Sequence, residues 1–104
     1  MGADLLRGHL DGLLLAVLAD APGHGYELGQ RLTHRSGGAL EVPEGSLYPA
    51  LHRLERGGLV TSSWSTGDGR RRRVYRLTRA GRRAVTRSRT EWRAFSVAVE
   101  RVLG

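Results

Sequence analysis

Apolar residues open the chain at helical spacing. Leu6, Leu10, Leu13, Leu14 and Val17 form one stripe, and Leu5, Leu15 and Leu18 widen it until the second half is apolar almost all round. Asp4 is placed to cap this helix and Pro22-Gly23 to end it. A helix of that kind is buried on two sides, and the reading gives one side, including Leu10 and Leu14, to a second subunit. A second helix begins at His24-Gly25-Tyr26-Glu27-Leu28, turns Leu28 and Leu32 inward, and runs out at the glycine pair after Ser36. Ala39 to Val42 reads as a short strand that Pro43 stops.

The third helix has the clearest two-faced pattern. Leu47, Ala50, Leu51 and Leu54 share one side, while Gly45, Pro49, His52 and Arg56 fall opposite, flanked by Tyr48 and Arg53. Ser46 is the expected N-cap, which places Pro49 in the first turn, and Gly57-Gly58 closes the helix. Leu59 to Trp64 and Arg72 to Leu77 are rich in strand-formers, and Ser65-Thr66-Gly67-Asp68-Gly69 between them is turn chemistry, so the pair predicts a hairpin. Thr78 then caps a last helix from about Arg79 to Leu103. Val85, Ser88, Trp92, Phe95, Val99 and Val102 recur along it at alternating spacings of three and four, the seam of a coiled coil.

The order helix, helix, strand, helix, hairpin predicts a mainly α fold with a small β-hairpin wing, a winged helix-turn-helix over residues 1–78. The C-terminal helix, 79–104, is expected to join two copies through Leu10, Leu14, Val85, Trp92, Phe95, Val99 and Val102. A lone helix of that length would leave its seam wet, and a two-fold protein suits a palindromic DNA site.

At 104 residues the chain makes one small domain, burying only about two thirds of the surface its unfolded form exposes. Its net charge of +7 calls for an anionic partner; nucleic acid is the commonest, and a membrane surface also fits. All 17 basic residues are arginine, whose planar fork matches phosphate oxygens and guanine edges. The absence of cysteine excludes disulfides, thiolate metal sites and a cysteine nucleophile. Leu13 to Ala19 imitates a secretion signal core, but acids precede it and it is too short to span a bilayer, so a cytoplasmic protein is expected.

On the third helix the candidates for DNA contact are Ser46, Tyr48, Pro49, His52, Arg53 and Arg56, with Arg53 or Arg56 suited to guanine O6 and N7. A solvated polar face is the duller alternative. Arg70, Arg71, Arg72 and Arg73 form a basic run in which strand alternation sends Arg71 and Arg73 to one face and Arg70 and Arg72 to the other, leaving two or three phosphate contacts. Tyr26 either donates its hydroxyl to a phosphate or packs. His9, His24, His34 and His52 lie in different elements without the close spacing of a zinc site, and no catalytic constellation or phosphate loop is present; neither metal, cofactor nor enzymatic activity is expected. The alternative function class is an architectural nucleic-acid binder without sequence preference, or an interaction module.

Leu6-Arg7-Gly8, His24-Gly25-Tyr26-Glu27-Leu28, Glu44-Gly45-Ser46-Leu47-Tyr48-Pro49-Ala50-Leu51, Arg53-Leu54-Glu55, and Arg71-Arg72-Arg73 with Tyr75-Arg76-Leu77-Thr78 together resemble the PadR family of bacterial transcriptional regulators. The single short final helix is similar to the smaller subfamily that includes multidrug-responsive repressors. The resemblance implies a homodimer that binds an inverted repeat in double-stranded DNA, represses, and is released by a small molecule. It also implies that Trp92 lines a cavity for planar hydrophobic compounds at the dimer interface, with Ser88 and Ser96 leaving room beside the ring. From its spacing alone, Trp92 is a seam residue.

Overall fold

The computed structural model describes Leu6 and residues 8–104. Their elements run α1 (Leu10–Asp20), β1 (Gly23–His24), α2 (Gly25–Arg35), α3 (Glu44–Arg56), β2 (Val60–Ser65), a short 3-10 turn (Gly67–Gly69), β3 (Arg72–Leu77) and α4 (Arg79–Leu103). Leu14, Leu28, Leu51 and Val60, one from each of four elements, are the largest fully buried side chains, so the core lies where the three short helices meet the sheet.

Among the described residues, the helix expected from Leu6 onward is interrupted at Gly8 and His9. Gly8 and His9 form a turn in which the His9 N–H donates to the Leu6 carbonyl at 2.9 Å, and α1 starts only at Leu10. Glycine in a helix interior costs about 1 kcal/mol relative to alanine, which favours an interruption at Gly8. The expected Asp4 cap lies outside the described residues. Leu10, Leu14, Leu15, Val17 and Leu18 of α1 are all buried. Leu10 and Leu14 are only 4% and 0% exposed, so they do not belong to a subunit interface. The second apolar side of α1 is covered from within the chain, by the start of α4, where Val85 is likewise buried.

The strand expected at Ala39–Val42 is absent; those residues are coil, with Leu40 and Val42 packed against the core. The sheet's third strand is β1, which pairs antiparallel with β3 through Gly23↔Tyr75 and His24↔Val74. The sheet order is β1-β3-β2. Gly37 and Gly38, at φ 65° and 83°, wind up the end of α2, with Gly38 N–H returning to the Thr33 carbonyl, and this ending leads the chain straight toward α3.

Helix α3 also departs from expectation, because Pro43 is its N-cap and Ser46 lies inside it; the Ser46 and Leu47 N–H groups both donate to the Pro43 carbonyl. Pro49 is therefore interior rather than in the first turn. Its missing N–H leaves the Gly45 carbonyl without an intrahelical donor, but Gly45 and Pro49 both face solvent, where water replaces the bond. Gly57 and Gly58 end the helix, Gly58 at φ 75° and the Leu59 N–H closing on the Leu54 carbonyl.

In the hairpin Val60 faces Leu77 and Ser65 faces Arg72. Thr78 then fastens α4 to the hairpin base. Its hydroxyl accepts from the Gly81 N–H at 3.0 Å and donates to the Gly58 carbonyl at 2.7 Å. Gly81 sits so close to the Leu59 carbonyl that a side chain there has no room. Beyond Val85 the helix becomes progressively exposed, with Ser88 beside Gly12 and Trp92 against His9 as its outer contacts; its 25 residues span about 37 Å, and the protomer measures 54 × 27 × 20 Å.

Candidate nucleic-acid interface

Burying Leu47, Ala50, Leu51 and Leu54 leaves Ser46, Tyr48, Pro49, His52, Arg53 and Arg56 exposed together on the outer surface of α3. Tyr48 is not free, however. Its ring covers Gly25 at the start of α2 so closely that a Cβ there would meet the ring at 2.5 Å. The helix is thus fixed against its neighbour by an aromatic ring seated on a glycine. Tyr26 is 64% exposed and its hydroxyl accepts from Gln30 Nε2 at 3.1 Å, so its ring lies on the surface rather than in the core.

Arg53 is held from the other side. Its Nη2 donates to Asp11 Oδ1 at 2.8 Å and its Nε to Asp11 Oδ2 at 3.4 Å, joining α3 to the first turn of α1. The hydrogen bond and then the charge of Asp11 raise the Arg53 pKa further above its ordinary value. Ser46, Pro49 and Arg53 share a crevice with Leu6 and Leu10, so this flank of α3 faces the start of α1. His52 and Arg56 lie on the open side.

On the wing, Arg73 stands directly opposite Trp64 in the strand register. The guanidinium carbons of Arg71 and Arg73 lie 4.5 and 5.0 Å from the Trp64 ring centroid, so alternation puts both arginines on one face, over one indole. Arg73 Nε also donates to Ser62 Oγ at 2.8 Å, and that hydroxyl donates to Glu55 Oε2 at 2.7 Å, tying the wing to α3. Arg72 turns the other way, with Nη1 3.4 Å from His24 Nε2 on β1. Arg70 and Arg71 are exposed, whereas Arg72 and Arg73 are half-buried. Beneath them burial pushes the Tyr75 hydroxyl above its ordinary pKa, and the nearby Glu55 carboxylate adds to the effect.

A second feature lies away from α3. Trp92, His9, Leu13, Ala16, Val85 and Phe95 border an open groove of about 520 Å³ between α1 and α4. Trp92 meets the His9 ring edge-on at 5.2 Å between centroids and Phe95 at 5.7 Å. Ser88 lines the groove beside Gly12, but Ser96 does not line it. Among the described residues no group of three His, Asp or Glu side chains is disposed to hold a metal, and no helix is long and apolar enough to cross a membrane.

Sequence reasoning missed Asp11, His9, Ser62 and Trp64. Trp64 was legible in principle, since an exposed-face tryptophan in a strand opposite an arginine run is a recognisable cross-strand pair. Asp11 carried no such local signal.

An exposed helix preceded by a second helix and followed by an arginine-bearing hairpin defines a winged helix-turn-helix, a class that serves DNA recognition. Residues 14–87 match the model of the transcriptional regulator PadR-like family, and the chain belongs to that family. A transcriptional regulator from Mycobacterium tuberculosis is 46% identical over 91 residues, covering 88% of this chain and 79% of its own. Among solved structures, a transcriptional regulator from Clostridium thermocellum superposes with a TM-score of 0.88 at 25% identity over 98% of this chain and 100% of that one. A PadR family regulator from Clostridium difficile gives 0.81 at 30% identity, over 92% and 99%. The protein is a PadR-family transcriptional regulator and not an enzyme.

Proposed function

We propose that this regulator works in the cytoplasm as a homodimeric repressor that binds an inverted repeat and is released by a planar hydrophobic small molecule. Residues 1–78 serve as the DNA-binding unit and 79–104 as the dimerisation helix. The observation that carries the reading is the outer length of α4: Trp92, Phe95 and Val102 are 53%, 57% and 86% exposed along one apolar line, while Arg82, Arg83, Arg87 and Arg93 occupy the opposite, solvated side. A second copy is the occupant that such a seam fits, with Val99 in the same line. Two copies then present two α3 surfaces, each with His52, Arg53 and Arg56 toward bases and with Arg70 and Arg71 toward phosphates.

The effector reading is supported by the groove beside Trp92, whose wall is mostly apolar and aromatic. Its geometry also suggests how occupancy reaches the DNA. His9, Gly12 and Leu13 border the groove, while Asp11 on the same turn of α1 holds Arg53. A ligand that displaces this turn disturbs the recognition surface directly. The test is a gel shift on the duplex upstream of the protein's own gene, with and without a planar hydrophobic compound. Retarded DNA carrying two chains, released as the compound quenches Trp92, supports the reading; one chain per duplex, or retardation indifferent to every such compound, contradicts the dimer or the effector respectively.

A further inference from the structure

The Arg53 guanidinium is gripped by one particular edge. Asp11 takes Nε and Nη2, the side edge of the fork, and leaves Nη1 and the second Nη2 proton unengaged at the tip. The tip of an arginine presents the same parallel pair of donors that guanine O6 and N7 accept. Arg53 keeps half of its side-chain surface exposed and Asp11 slightly less, so the pair sits at the surface of α3 instead of in the core. A free arginine on a helix samples many rotamers and loses that freedom on binding a base; one already held by a carboxylate has lost much of it beforehand.

We propose that Asp11 is a positioning residue for base recognition: it fixes the side edge of Arg53 so that the tip is aimed at a guanine in each half-site. The proposal rests on the reading of α3 as the base-contacting helix. Asp11 itself touches no DNA. Its carboxylate also screens Arg53 from neighbouring phosphates, which biases the arginine away from the backbone and toward a base edge.

This assignment explains why an acidic residue stands beside the DNA-facing surface of a strongly basic chain. An isolated carboxylate there repels phosphate and weakens binding to every sequence. Paired bidentately with Arg53, the same charge is converted into orientation.

The test is binding-site selection by the full-length protein from a randomised duplex library, run in parallel for the native chain, Asp11→Asn, Arg53→Lys and the double variant. Asparagine keeps the size of the side chain and removes its charge, while lysine keeps the charge of residue 53 and removes the fork. Exposed ion pairs contribute little to folding, and a thermal unfolding curve for each variant confirms that it is folded. The expected result is enrichment of a guanine in each half-site by the native protein, with that one position relaxing in both variants and the other positions unchanged. Discrimination between the selected site and random duplex falls about tenfold in each, and no further in the double variant.

Three outcomes overturn it. Identical selected sites for the native protein and Asp11→Asn show that Asp11 does not aim Arg53. Tighter binding of Asp11→Asn to all duplexes with unchanged preference shows that the carboxylate merely repels phosphate. Failure of the native protein to enrich any sequence removes the base-reading role of α3 itself, and the proposal falls with it.

Discussion

Arg73 and Trp64 face one another across the two strands of the hairpin, with the guanidinium stacked 5.0 Å from the ring centroid and its Nε donating to Ser62. The arginine is thereby committed twice, once to an aromatic face and once to a hydroxyl that reaches Glu55 on α3. Arg73 braces the wing, whereas Arg71, over the same ring, is exposed and is the arginine we propose for phosphate contact.

The two arginines are therefore expected to differ under mutation. Arg71→Ala weakens binding to operator and random duplex alike and lowers the slope of log affinity against log salt by about one. Arg73→Ala lowers the melting temperature as well, because it releases Ser62 and Glu55. Salt-series gel shifts with thermal melts measure both; the same phenotype for both variants contradicts the division of labour.

Gly81→Ala is expected to cost about 2 kcal/mol, the scale of an overpacked core contact, because the added methyl runs into the Leu59 carbonyl and backbone cannot yield as a side chain does. Thr78→Ala, which removes the cap that accepts from Gly81, is expected to cost about 1 kcal/mol. Urea unfolding measures both, and a neutral Gly81→Ala removes the claim that α4 is pressed against the hairpin base.

Stability is expected to fall in alkali. The Tyr75 hydroxyl titrates higher in the folded chain than in the unfolded one, so its contribution is intact below the unfolded tyrosine value, about 10, and is lost as pH rises through the folded value. Comparing Tyr75→Phe with the native chain in urea across that range isolates the effect. The native chain loses stability more steeply than the variant; parallel curves remove Tyr75 as the cause.

The groove makes a separable prediction. Trp92→Ala is expected to abolish fluorescence quenching by planar compounds and their release of DNA, and Trp64, on the wing, remains as an internal fluorophore that reports DNA binding instead. Linkage requires the releasing compound to bind free protein more tightly than DNA-bound protein. Unaltered release by Trp92→Ala removes the groove as the effector site.

What the sequence made legible was what local chemistry decides. The apolar stripe of α3, the glycine pair that closes it, the hairpin and the Thr78 cap all depend on residues within a few positions of one another. Three features did not yield. The two residues of β1 are too few to show alternation, and only the open edge of β3 makes them a strand. The all-round apolar character of α1 announces burial without saying by what, and the start of α4 in the same chain, where Val85 is buried, proved to be the cover for its second side. Pro43 and Ser46 both suit a helix start, and solvent exposure of Gly45 is what lets the helix begin early and keep Pro49 inside. Of the candidate contacts, the outer surface of α3 was legible from periodicity, but the restraint of Arg53 by a residue 42 positions away was not.

The most direct test of the account is sedimentation equilibrium of the native chain and of Phe95→Asp at micromolar concentration. The account predicts a native species of twice the 11.4 kDa chain mass, and a Phe95→Asp variant that is folded, monomeric and deficient in operator binding. A native chain that remains a stable monomer, or a dimer undisturbed by a charge at Phe95, contradicts assembly through α4 and with it the paired presentation of the two recognition helices.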